Sequence, residues 1–226
     1  MRSVQVNNDH QGESASIAVV GGGGLGSEII DAIRVLESMG HHRFVGVLDN
    51  RPDAVDSSKY LGPIEVASIA ADHQLIMAIG DPEIRLRLVE RLGPTVNYAS
   101  VIHPTAVISP SATIGAGVFV GPFAFVGPNA IVADHAVLNI YSSVGHDAQL
   151  GRGAVLSPYA TLNGHSTVGE GGFLGTSAAV GISVVVGAWS KVSSGVVCSR
   201  SCEEGSLIAG PAPKARVMFR RPDLGS

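Results

Sequence analysis

From Ile102 onward an aliphatic residue returns at every sixth position without interruption to Val192. The stretch makes sixteen hexads in one phase, beginning IHPTAV, ISPSAT, IGAGVF, and every lead is Ile, Leu or Val. The fifth position of each hexad is Ala, Ser, Gly or Val, and Gly often follows the lead. A period of six fits neither an amphipathic helix nor an alternating strand. It predicts short parallel strands separated by tight bends, wound into a coil. The lead points inward, the fifth position also points in where only small groups fit, and three hexads close one triangular turn. Residues 18 apart then stack on neighbouring turns, about 4.8 Å apart. No hexad buries its lead alone, so stability belongs to the stack.

The first hundred residues follow a different pattern. In "SIAVVGGGGLGSEIIDAIRVLESMG" an apolar run, Ile17 to Val20, enters a glycine loop and then a helix carrying Ile29, Ile30, Ile33 and Leu36 on one face. Gly21, Gly23 and Gly26 fit G-x-G-x-x-G. A second strand, "FVGVLDN", ends at Asp49-Asn50, and a third, Leu75 to Ile79, leads into another helix. The arrangement predicts a βαβ unit with a parallel sheet, half the size of a full dinucleotide-binding domain. Free amides at Gly23, Gly24, Leu25 and Gly26 offer a phosphate a binding place at the helix N-terminus. Asp49 can hold a ribose or base. A glycine turn with no ligand is the plain alternative, and Asp81 before Pro82 is read as a helix cap.

Composition narrows the partners. The net charge of −4 comes without a basic block, which disfavours nucleic acid and anionic membranes. No apolar run reaches the roughly 20 residues of a membrane span, and the polar opening "MRSVQVNNDHQGESAS" lacks the apolar core of a secretory signal. A cytoplasmic protein is expected. Cys198 and Cys202 have no second pair to complete a metal site. The eight histidines include no H-x4-H pair of the kind zinc-binding hexapeptide coils use, so no metal is expected.

A half-Rossmann unit followed by hexapeptide repeats resembles the PglD/NeuD-like sugar acetyltransferases. The stretches "VVGGGGLGSEIIDAI", "FVGVLDN", "AIGDPEIRLRLVERL", "VLNIYSSVGHDAQLG" and "FLGTSAAVG" carry the resemblance, which covers Ser16 to Met218. It implies an α/β N-terminal half-Rossmann domain followed by a left-handed parallel β-helix. The expected domains are a mobile arm, 1–15, a nucleotide-sugar-binding domain, 16–100, the β-helix, 101–198, and a tail, 199–226. The resemblance further implies a homotrimer, acetyl-CoA bound along the coil, and a nucleotide-linked amino sugar held by the first domain. It assigns a catalytic base to His146, an assisting carboxylate to Asp147, a carbonyl-polarising amide to Gly164 and a sugar contact to Asn139. CoA contacts are expected at Val155, Thr176 and Ser194, with Lys214 and Arg216 placed to meet its phosphates. Leu25 stands where the family often has histidine, and Asn50 where it often has a second aspartate.

The register supports this chemistry independently. His146 and Gly164 are 18 apart, so they share a station on adjacent turns, and as third-position residues they face outward. A base beside a free N–H is the minimum set for acyl transfer. Asp147 poses a problem, since neighbours in a strand point to opposite faces, and reaching His146 requires a bend there. The expected reaction is acetylation of the 4-amino group of a nucleotide-linked 4-amino-4,6-dideoxy sugar. O-acetylation of sialic acid or another sugar hydroxyl is the first alternative, and a non-catalytic nucleotide-binding trimer is the second.

Overall fold

The computed structural model describes residues 4–5, 15–66, 69–70 and 72–211. Most of the N-terminal arm, together with Lys214 and Arg216, lies outside the described residues. Within the arm, β1 (Val4–Gln5) pairs antiparallel with Thr113–Ile114 at the edge of the coil.

The first domain is a four-stranded parallel sheet. Its strands are β2 (Ser16–Val20), β3 (Arg43–Leu48), β4 (Tyr60–Gly62) and β5 (His73–Met77), in the order β4-β3-β2-β5. Helix α1 (Gly24–Ser38) buries Ile29, Ala32, Ile33 and Leu36, the i, i+3, i+4, i+7 stripe of an amphipathic helix. It ends where Gly40 turns left-handed, at φ 82°. Two glycines of the loop are required by packing. Gly21 sits at φ 109°, and a Cβ on the buried Gly26 would run into the Gly21 carbonyl oxygen, so helix and strand could not close. Gly23 and Gly24 face open space. Helix α2 (Pro82–Leu92) begins at Asp81, whose Oδ1 accepts from the amides of Glu83 at 2.9 Å and Ile84 at 3.0 Å.

From Val101 the chain winds as a left-handed β-helix of two-residue strands stacked into three parallel sheets. Partners are 18 residues apart, as in Gln149↔Thr167 and Leu150↔Val168. Every lead from Ile114 to Val192 is at most 1% exposed, and the fifth-position alanines fill the same core. The inward serines are satisfied locally: Ser142 Oγ donates to the Asn139 carbonyl at 2.7 Å, and Ser166 Oγ to that of Asn163. The last turn is shortened, since Lys191–Val192 pairs with Leu207–Ile208, 16 residues on. Cys198 closes the core there, both cysteines are free, and burial pushes the Cys198 thiol up.

From the third hexad on the bends are made the same way. From Gly117 to Gly195 the fourth position of every hexad has positive φ, including Phe123, His135, Tyr141, Asp147, His165 and Trp189. Side chains other than glycine resist this conformation, yet ten of these bends carry one, so the stacked core overrides local preference. The third-position amide has no backbone partner inside the coil, although that of Ala116 donates to Asp134 Oδ1 at 2.8 Å, and Pro stands there at 104, 110, 122, 128 and 158.

The two domains share a core. Val101, Phe119, Val137 and Val155 form an outward column on one sheet, at most 3% exposed, and pack with Ile29, Ile33, Leu36 and Val47 of the first domain. Arg85 of α2, fully buried, reaches across to donate to the carbonyls of His135 at 3.1 Å and Gly153, and also to that of Ile79 in its own domain. Among the described residues no helix is long and apolar enough to cross a membrane.

Candidate active site

The bend at Asp147 resolves the difficulty the sequence raised. With φ at 57°, Asp147 turns its side chain back toward its neighbour, and His146 Nδ1 lies 2.9 Å from Asp147 Oδ2. Asn129, one turn below, donates from Nδ2 to Asp147 Oδ1 at 3.1 Å. The hydrogen bond from His146, then that from Asn129, holds the Asp147 carboxyl below its usual pKa. An ionised carboxylate at Nδ1 keeps the proton there and leaves Nε2 with its lone pair.

Gly164 lies directly beneath the ring. A Cβ there would stand 2.5 Å from His146 Nε2 and 2.6 Å from Cε1. Only glycine allows the imidazole to rest on the next turn. Gly164 is buried in this way, and its N–H makes no hydrogen bond among the described residues. An unpaired donor beside a base is poised to receive a developing negative oxygen. His165, one position on, meets His146 edge-on with ring centroids 4.9 Å apart.

Other candidates fall elsewhere. Thr176 and Ser194 sit, exposed, at the third position of a different corner, and their amides likewise have no partner within the coil. Asn139 lies at that corner too, half-buried, donating from Nδ2 to the Leu156 carbonyl at 3.1 Å; a single chain does not bring it to His146. Val155 requires a correction: its side chain is 3% exposed inside the shared core of the two domains and offers no surface to a cofactor. The 18-residue column Val101, Phe119, Val137, Val155, Phe173 was the available signal, because large apolar groups repeating on an outward face mark a covered one.

In the first domain, Gly22 lines a cleft of about 280 Å³ with Ser27, Val47, Val55, Asp56 and Lys59. Asp49 is committed to the loop itself. Its Oδ2 accepts from the Gly22 amide at 2.8 Å and its Oδ1 from the Arg51 amide at 2.9 Å. Burial raises its pKa, but the two amide bonds together with the Arg51 guanidinium outweigh it and the carboxyl sits below the ordinary value. Asp49 is 4% exposed, so its role is to shape the loop rather than to stand free for a ribose. Asn50 Oδ1 accepts from the Ile64 amide at 2.9 Å. Leu25 packs partly buried against the shared core, while Gly23 and Gly24 remain exposed at the start of α1. Trp189 covers Gly171 and lines a second cleft, about 460 Å³, against Asp81 and Leu86 of the α2 region. Sequence reasoning missed Arg85, since nothing in "EIRLRLVERL" separates a buried arginine from a solvated one.

The description PglD N-terminal domain matches residues 16–92. PerB from Caulobacter crescentus, solved with CoA and GDP-perosamine, is 30% identical, with a TM-score of 0.77 over 85% of this chain and 93% of that one. The acetyltransferase domain of PglB from Neisseria gonorrhoeae, solved with acetyl coenzyme A, is 27% identical, with a TM-score of 0.79 over 87% and 97%. WeeI from Acinetobacter baumannii, at 23% identity and a TM-score of 0.75 over 87% and 97%, shares the fold. No curated protein sequence matches the chain.

Proposed function

The chain belongs to the PglD/NeuD-type sugar acetyltransferases, and on that premise we propose that it acetylates the 4-amino group of a nucleotide-linked 4-amino-4,6-dideoxy sugar from acetyl-CoA, with His146 as general base. The observation that carries this reading is the His146 imidazole, bonded to Asp147 through Nδ1 and seated on Gly164. The sugar amine attacks the thioester carbonyl carbon, the C–N bond forms, and His146 Nε2 accepts the amine proton. The Gly164 N–H takes the developing oxyanion, which requires the imidazole to tilt off the glycine as the carbonyl enters. The C–S bond then breaks, and the proton on His146 is available to the departing thiolate. Asp147 stabilises the imidazolium between these steps. General-base assistance is worth roughly 10²–10⁴ in rate. The chemistry calls on no metal.

Three further features support the reading. The unpaired amides of Thr176 and Ser194 fit the carbonyls of a pantetheine arm running along the coil. The exposed amides of Gly23 and Gly24, with those of Leu25 and Gly26, fit a nucleotide at the glycine loop. Exposed apolar side chains on the uncovered faces, Val107, Ile131, Val185 and Val197 among them, fit a homotrimer in which neighbours cover them. A cytoplasmic location fits substrates of this kind. The test is steady-state thiol release from acetyl-CoA with UDP-, dTDP- and GDP-linked 4-amino sugars. Turnover with one of them is expected; turnover with none removes the proposal. Light scattering should give about three times 23.1 kDa.

A further inference from the structure

We propose that His146, Asp147 and His165 form a binding site for a divalent transition-metal ion, zinc foremost, whose occupation silences the base. One ligand atom from each residue lies within 4.8 Å of the other two. Asp147 Oδ2 is 2.9 Å from His146 Nδ1 and 3.9 Å from His165 Nε2. Zinc bonds of about 2.0–2.2 Å in a tetrahedral site place ligand atoms roughly 3.4 Å apart. The two separations bracket that figure and the remaining pair lies within 4.8 Å, so side-chain rotation alone can bring the three together.

The coil itself produces the convergence. Asp147 and His165 are fourth-position residues on successive turns, with φ of 57° and 58°, and so lean the same way. His146 joins them from the adjacent third position. The two rings meet at 87° rather than face to face. Two imidazoles and one carboxylate suit zinc, cobalt, nickel or copper over magnesium or calcium. Asn129 already holds the carboxylate oxygen the ion would not use, which is how metal sites orient their ligands. Side-chain exposures of 58%, 37% and 57% leave the ion a path from solvent and a position for water. The set does not form an H-x4-H pattern, because ligands 18 and 19 apart meet only through stacking.

An ion held at Nδ1 takes the place of the proton given to Asp147. The ring then carries its proton on Nε2, the atom that must be bare to accept one from the amine. Binding stands independently of the acetyltransferase reading; the loss of activity rests on it.

The experiment titrates Zn²⁺ alone into chelator-treated, full-length protein by calorimetry, with Co²⁺ absorbance as a second probe, in wild type, His165→Ala and His165→Asn. Circular dichroism confirms that each variant folds. Binding should weaken by more than about tenfold in both variants, and in wild type as pH falls and protons compete for the imidazoles. Acetyl transfer should be inhibited by Zn²⁺, restored by EDTA, and at least about tenfold less sensitive in His165→Ala, each protein scored against its own metal-free rate. No binding, or binding that His165→Ala leaves unchanged, overturns the site. A metal-free wild type that turns over no substrate refutes the acetyltransferase reading instead, and the titrations still decide the site.

Discussion

The imidazole of His146 and the missing side chain of Gly164 are one structural fact: the ring occupies the space a Cβ on Gly164 would fill, 2.5 Å from Nε2. The imidazole is therefore positioned as much by an absence on the next turn as by the aspartate beside it. Gly164→Ala should push the ring aside while leaving the inward core untouched. A displacement of about 1 Å costs on the order of 10²-fold in rate, and that loss is expected in kcat, with thermal stability nearly unchanged. Thiol-release kinetics and a melting curve check both halves; a fully active variant would mean the ring does not work from this position.

The His146–Asp147 pair should separate by variant. His146→Ala is expected to lose roughly 10²–10⁴ in kcat, the worth of a general base. Asp147→Asn removes the ionised acceptor at Nδ1 and should lose less, with KM for both substrates little changed. Equal losses, or a rise in KM alone, would assign the aspartate to substrate binding.

Between the coils, Leu150 is 1% exposed. Leu150→Asp places an unpaired charge there and should abolish soluble expression. Leu150→Ala should cost about 2–5 kcal/mol through lost burial and cavity, read by denaturant unfolding. A stable, soluble Leu150→Asp protein contradicts the register.

Acid sensitivity should trace partly to His135. Burial lowers its pKa to about 4, against 6.5 for the free side chain. Above pH 6.5 both folded and unfolded chains hold it neutral, so it has no effect there. As pH falls from 6.5 toward 4 only the unfolded chain gains the proton, and folding loses on the order of 3 kcal/mol. His135→Asn, which tolerates the left-handed bend, should flatten stability across that window. An unchanged acid-unfolding profile would show that the site already admits the proton.

The hexad register was legible in the sequence because one contact, lead on lead, repeats and tolerates only aliphatic groups. It placed His146 outward and in line with Gly164 correctly. The bend was not legible, because fourth positions hold Phe123, Tyr141 and Trp189 as well as glycine, and their left-handed backbone is imposed by coil closure rather than by side-chain preference. Hence the direction of Asp147 emerged only from the structure. Val155 went astray for the opposite reason: motif position outweighed the plain apolar column it belongs to. Asp49 shows a third limit, since an acid at a strand end looks the same whether it serves a ligand or its own loop.

The shared station of His146 and Gly164 makes the site a property of arithmetic. Removing one hexad between them would carry Gly164 to a different corner, a third of a turn away, with every strand still formed and buried. Removing three would restore a pairing at the same corner with whichever residue arrived there. Length changes in this coil thus come in two kinds: steps of eighteen keep its corners aligned, and steps of six or twelve part His146 from Gly164 without unfolding a protein.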